Sequence, residues 1–256
     1  MLRHITHVEE EVRTLTGYKF DQCNNDGKIT WYDANAYSGA CSLQERMGAI
    51  SSAYSELSKS QLDYVKFYMK NHEQIPTWIM IKVVNFSTFI NVLKCCKTDV
   101  THSLCKLYGM YDEKGYPDVK LLIGSLHWLR KIRNACAHNE RIFCMRQSDS
   151  GNQHSGRIKE GYILSLRKSY QRESSKLLFD LLVYFKYYLP DSEYREMIGE
   201  LQRMMLMLQE SIAPNAFHNI RGSMGIKDML DLDVLVHFPK SEIEYNKFDS
   251  REYHLK

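Results

Sequence analysis

The spacing of its apolar residues most limits what this chain can fold into. Along most of its length they return every three or four positions, and nowhere do they alternate one in two over the length of a strand. Ile5, Val8, Val12 and Leu15 fall on one side of a helix, and Leu122, Leu126, Leu129, Ile132, Cys136 and Phe143 on one side of another. Only five prolines interrupt such runs. The expected fold class is therefore all-α. With 256 residues, 44% of them hydrophobic, the chain can bury a core without disulfide or metal staples. The reading is one compact domain over residues 1–235, built from about seven to nine helices, followed by a polar tail over 236–256.

Start and stop signals divide the chain further. A helix is expected over Ile5 to Tyr18, then a loop over 20–41 around the turn signal Asn24-Asn25-Asp26-Gly27. Ser42 with Glu45 three residues on reads as a capping box opening a helix to about Leu57. Helices follow over Gln61–Lys70, over Trp78–Lys94 after Pro76, and from a cap at Asp99 to about Tyr111. Pro117 is expected in the first turn of a long central helix reaching about Phe143. Residues 147–161, polar and glycine-bearing, read as a loop. Two more helices are expected over 163–188 and 191–212, closed by Pro214.

Several classes drop out. The N-terminus is amphipathic and charged, without the apolar core of a secretory signal. No stretch reaches the roughly 18 apolar residues that span a bilayer, so no membrane partner is expected. Seven cysteines without framework spacing fit a reducing cytosol, and the expected location is cytoplasmic. Phosphate-cradling glycine loops, HExxH and paired CxxC elements do not occur, and no metal or cofactor is expected. His102 and Cys105 lie one turn apart with no second pair to complete a metal site. Cys95-Cys96 reads as core, and Glu9-Glu10-Glu11 as a solvated helix face or a carboxylate site.

One segment concentrates chemistry. Residues 126–146 hold five Lys/Arg (Arg130, Lys131, Arg133, Arg141 and Arg146) against one acid, Glu140, in a chain whose net charge is only +3. On a helix, Arg130, Asn134, His138 and Arg141 form a polar stripe beside the apolar arc, while Arg133 points into the arc's edge. A cation there costs desolvation energy unless it is paired. The stripe offers guanidinium forks suited to phosphate and one imidazole able to move protons near neutral pH. Asn134 sits one turn before His138, in reach to orient the ring. The same stripe also reads as a merely solvated face.

Arg133-Asn-Ala-Cys-Ala-His138 resembles the R-x4-His signature of the HEPN superfamily of small helical ribonucleases and RNA-binding domains. The longer string RNACAHNERIF resembles the version found in the Abi-like abortive-infection family. Three further stretches resemble that family in order: Val8-Glu9-Glu-Glu-Val12-Arg13, Pro76-Thr-Trp78-Ile running into Phe86-Ser-Thr, and Met224-Gly225-Ile226. The chain departs from the family pattern at Asn139, where a second His is usual, and at Phe143-Cys144, where Trp-Asn is favoured. It opens almost on the first of these helices, so a shortened member is expected.

The resemblance implies a HEPN-like helical bundle with additional helices. It implies a metal-independent endoribonuclease of a phage-defence or toxin system, acting on RNA. Arg133 and His138, with Asn134, would be catalytic. Arg130, Lys131 and Arg141 would hold the RNA backbone, and Glu9 and Arg13 would support the site through a Glu9–Arg133 or a Glu9–Arg13 pair. A homodimer joining two motifs in one cleft is implied, with a protein or RNA antitoxin as a possible further partner. The alternative is a non-catalytic HEPN module that binds RNA or regulates without cutting; a third reading makes the chain a structural partner in a defence complex.

Overall fold

The structure is a computed structural model that describes residues 1–112, 114–147 and 177–237. The loop expected over 147–161, apart from Gln147, the first part of the helix expected over 163–188, and the tail beyond residue 237 lie outside the described residues. Within them the chain is all-α. Eleven α-helices and one 3₁₀ turn occur, and no strand or sheet, only two isolated bridges. No described helix is long and apolar enough to cross a membrane.

Two units divide the chain, one of residues 6–107 and one of residues 1–5 with residues 108 onward. The first holds most of α1 (Leu2–Cys23), the 3₁₀ turn Ala34–Ala36, α2 (Leu43–Lys59), α3 (Asp63–Asn71), α4 (Thr77–Val83), α5 (Phe86–Cys95) and nearly all of α6 (Thr98–Tyr108). Its core includes Val12, Phe20, Trp31, Ala53, Leu57, Ile79, Phe89 and Leu93, all buried. A fully buried side chain of this kind contributes about 1.5–3 kcal/mol. The expected turn after α1 forms with Asn25, Asp26 and Gly27 at φ of 57, 52 and 80°. These are the residue types that tolerate the left-handed region. The Gly27 amide donates back to the Asp21 carbonyl at 3.1 Å. Asn24 is fully buried, and its Nδ2 bridges the carbonyls of Phe20 and Ala36. Trp31 is pinned by Nε1 on the Ile75 carbonyl at 2.8 Å.

The capping box is present as expected: Ser42 Oγ accepts from the Glu45 amide, and Glu45 accepts from the Ser42 amide. The helix expected over Trp78–Lys94 is two helices. Asn85 stops one and caps the next, its Oδ1 accepting the Thr88 amide at 3.0 Å. Glu56 of α2 secures the break by accepting from the Asn85 amide and from its Nδ2, both at 2.6 Å, and from the Thr88 hydroxyl. Three bonds from one carboxylate outweigh the propensity of a continuous apolar run. Asp99 lies inside the first turn of α6 rather than before it, and Gly109, at φ 66°, follows the end of that helix.

In the second unit, Asp118 rather than Pro117 opens α7 (Val119–Ala137), its Oδ1 accepting the Leu121 amide at 2.9 Å. Every residue from Leu121 to Leu126 is buried. The α7 helix packs against α8 (Leu178–Tyr188), whose residues are all buried, and Ser125 Oγ meets Tyr188 Oη at 2.6 Å. Next come α9 (Asp191–Ser211), α10 (Pro214–Ser223) and α11 (Leu230–His237), with α9 touching α8, α10 and α11. Pro214 therefore opens a helix where one was expected to have closed, as the first-turn preference of proline allows. The eleven α-helices among the described residues exceed the seven to nine expected. The excess comes from the α4/α5 break and from two short helices after Pro214.

Candidate active site

The segment that concentrates charge occupies the last turns of α7 and the residues just beyond. The helix ends earlier than its apolar pattern predicts, at Ala137 rather than Phe143. His138 is the C-cap, with φ −98° and ψ 9°. Asn139 then turns left-handed at φ 55°. Its amide donates to the Cys136 carbonyl at 3.3 Å, and the Glu140 amide donates to the Ala135 carbonyl at 2.8 Å. These two reversed bonds are the Schellman ending, in which Asn replaces the usual glycine. They use the carbonyls that a longer helix would need, so the helix cannot continue. The signal was in the sequence as an asparagine directly after a helical run, but the apolar Phe143 masked it.

The early end dismantles part of the expected stripe. Arg130, Asn134 and His138 remain on or at the helix; Arg141 stands exposed beyond it. The chain then turns back along α7. Lys131 Nζ donates to the Arg146 carbonyl at 2.6 Å and also lies 5.6 Å from the Trp128 ring centroid. Lys131 thus ties down the returning segment, a role that spacing on a helix could not reveal.

Arg133 is half-buried at the edge of the apolar arc, as its spacing predicts, and Asn134 and His138 are exposed. Arg133 Nη1 donates to Asn134 Oδ1 at 3.3 Å. The Asn134 side chain therefore serves the guanidinium, while its backbone carbonyl receives the His138 amide at 3.0 Å. The result is an exposed imidazole fixed at its backbone by a helix stop, five positions after a guanidinium that is partly desolvated and steadied by a neighbouring amide. Cys136, one residue inside the helix end, is half-buried, and burial pushes its thiol up, away from the nucleophilic thiolate.

Glu9 and Arg13, expected as supporting residues, both lie buried in the first unit. Arg13 Nε and Nη2 donate to Glu9 Oε1 at 3.0 and 2.7 Å, and Nη1 donates to the Ile81 carbonyl at 2.6 Å. The same guanidinium lies 4.8 Å from the Phe89 ring centroid and 5.7 Å from that of Phe86. Of the two pairings left open by the sequence, the Glu9–Arg13 pair is present. It locks α1 to the end of α4 and the start of α5, joining two of the stretches singled out from the sequence.

Among the described residues no group of three or more His, Cys, Asp or Glu side chains is placed to hold a metal. The family model of the Abi-like proteins matches residues 1–144. The match takes in the whole of α1 to α7 and ends just past His138. No curated protein and no solved structure matches the chain.

Proposed function

We infer the function from the family to which this chain belongs, the Abi-like proteins, whose role lies in abortive infection, the self-limiting response of bacteria to phage. Our reading is that the chain is a metal-independent, cytoplasmic endoribonuclease of the HEPN type. The observation that carries it is the R-x4-His element at the end of α7: a half-buried Arg133 followed by an exposed His138 on a fixed helix stop.

The chemistry follows from the residue types. One imidazole takes the proton of a ribose 2′-OH, and the freed oxygen attacks the adjacent phosphorus. Arg133 spreads the charge that builds on the non-bridging oxygens, with two parallel N–H donors where an ammonium has none so arranged. A second imidazole gives a proton to the departing 5′-oxygen. The products are a 2′,3′-cyclic phosphate and a 5′-hydroxyl, with no net consumption of water. Each R-x4-His element supplies one imidazole, so the two proton transfers call for two copies of the chain, a homodimer with a shared cleft. Arg130 and Arg141 hold the phosphate backbone without reading sequence. Lys131, which still has donors beyond its bond to Arg146, adds to that field. A toxin of this kind is held in check by a protein or RNA antitoxin.

Cleavage of end-labelled RNA in excess EDTA tests the reading, comparing the native chain with His138→Ala. Cutting by the native chain alone, leaving cyclic phosphate ends, is expected. Binding without cutting by either chain would leave a non-catalytic RNA-binding module as the better description.

A further inference from the structure

An aromatic cluster lies far from residues 130–146 in sequence, at the junction of α3 and α4. Tyr64 and Trp78 lie nearly parallel, with ring centroids 6.2 Å apart and planes 20° apart. Tyr68 meets Trp78 edge-on at 6.0 Å and stacks on His72 at 4.6 Å. Phe67 closes the chain of rings against His72 at 5.5 Å. Tyr64 and Tyr68 are half-buried, and Phe67, His72 and Trp78 are exposed. Trp78 is 50% exposed and Phe67 56%, whereas the other two tryptophans, Trp31 and Trp128, are at 0% and 1%. The cluster therefore leaves a large ring surface in water at a place where the unit already has a filled core.

Charge decides what would cover it. Lys70 stands one turn from Phe67 on α3, and Lys82 one turn from Trp78 on α4; both are exposed, as is Lys66. The exposed acids of this stretch are Asp63, at the first turn of α3, and Glu73, in the linker. Exposed aromatic rings with a cation one turn from each match a polyanion of flat, stackable units rather than an apolar protein helix. We propose that Tyr64, Phe67 and Trp78 form a stacking platform for the bases of single-stranded RNA, with Lys66, Lys70 and Lys82 on its phosphates. The choice of RNA over DNA rests on the ribonuclease reading above; the platform itself rests on the rings and lysines.

Trp78 reports on its own occupancy, because the other two tryptophans are buried. The titration uses the full chain and a 2′-O-methyl RNA strand of about 12 nucleotides, within the range such grooves hold. That strand lacks the 2′-OH needed for cleavage. Saturable quenching of tryptophan emission at low salt is expected, with none from a duplex of the same sequence. Quenching should vanish in Trp78→Phe. Tyr64→Ala should weaken binding by roughly 5- to 100-fold, and Lys70→Gln and Lys82→Gln should each flatten the salt dependence by about 0.7 in log–log slope. No quenching by single-stranded RNA, equal quenching by duplex, or quenching by an apolar peptide but not by RNA would each overturn the proposal. The two readings fail separately. Cleavage of natural RNA with no Trp78 response removes the platform and leaves the ribonuclease; a Trp78 response without cleavage does the reverse.

Discussion

At the scale of single residues, the buried Arg13 and the half-buried Arg133 stand in different surroundings. Arg13 is satisfied on three sides, by Glu9, the Ile81 carbonyl and the Phe89 ring. Its truncation to Ala breaks the buried Glu9–Arg13 pair and should cost roughly 3–5 kcal/mol, read as a shift in the urea midpoint. Arg133 is half-buried, and its replacement by Lys should leave the stability read from urea unfolding within about 0.5 kcal/mol of native while abolishing the proposed cleavage. Full activity in Arg133→Lys would remove the two-donor role given to the guanidinium. His138→Ala should likewise kill cleavage in single-turnover assays and leave the melting curve unmoved, because the ring is exposed. His4 carries a pH signature of a different kind. Burial, the N-terminus and Arg3 hold its imidazole below the usual value, against the pull of Glu193 and Glu200. A lowered folded value means that the unfolded chain takes the proton first as pH falls. Stability is then complete above the ordinary histidine range and is lost as pH drops from about 6.5 towards the folded value. His4→Gln should flatten that loss in urea midpoints taken at successive pH values.

At the scale of elements, most of the helices among the described residues were legible, and their ends only partly so. The capping box at Ser42 and the Asn24–Gly27 turn rest on local chemistry, and both stand where the sequence puts them. The α4/α5 break was not legible, because Glu56 enforces it from 29 positions away. The end of α7 was legible in principle, through Asn139, yet the apolar spacing on to Phe143 argued for a longer helix. Two substitutions weigh these ends. Asn139→Ala places a Cβ at φ 55° without the side chain that eases it, and should lower stability by about 1 kcal/mol, whereas Asn139→Gly should match or exceed the native chain. Removing the Asn85 cap with Ala should likewise cost about 1 kcal/mol, seen as a lower thermal midpoint. Of the candidate site, the half-burial of Arg133 at the edge of the apolar arc was readable from spacing, whereas the place of His138 at the helix end was not. The fold-back that ties Lys131 to the Arg146 carbonyl was not, since nothing local marks it.

For the whole molecule, the proposed shared cleft makes activity a property of pairs. If two chains each lend one imidazole, His138→Ala chains mixed with native chains and allowed to exchange should suppress activity as the square of the native fraction. A linear fall would mean that each chain works alone. The placement of His138 also has a consequence for how such a cleft gains its hold on RNA. Anion sites in proteins often sit at the amino ends of helices, where free N–H groups and the macrodipole favour negative charge. Here the site sits at a carboxyl end, equivalent to about half a negative charge, and a dimer would bring two such ends together. That backbone field would oppose an RNA phosphate held at the proposed site, and the arginines would have to offset it first. On the ribonuclease reading, grip there would come from side-chain charge, and removing a single guanidinium should weaken it by more than that side chain's own hydrogen bonds are worth.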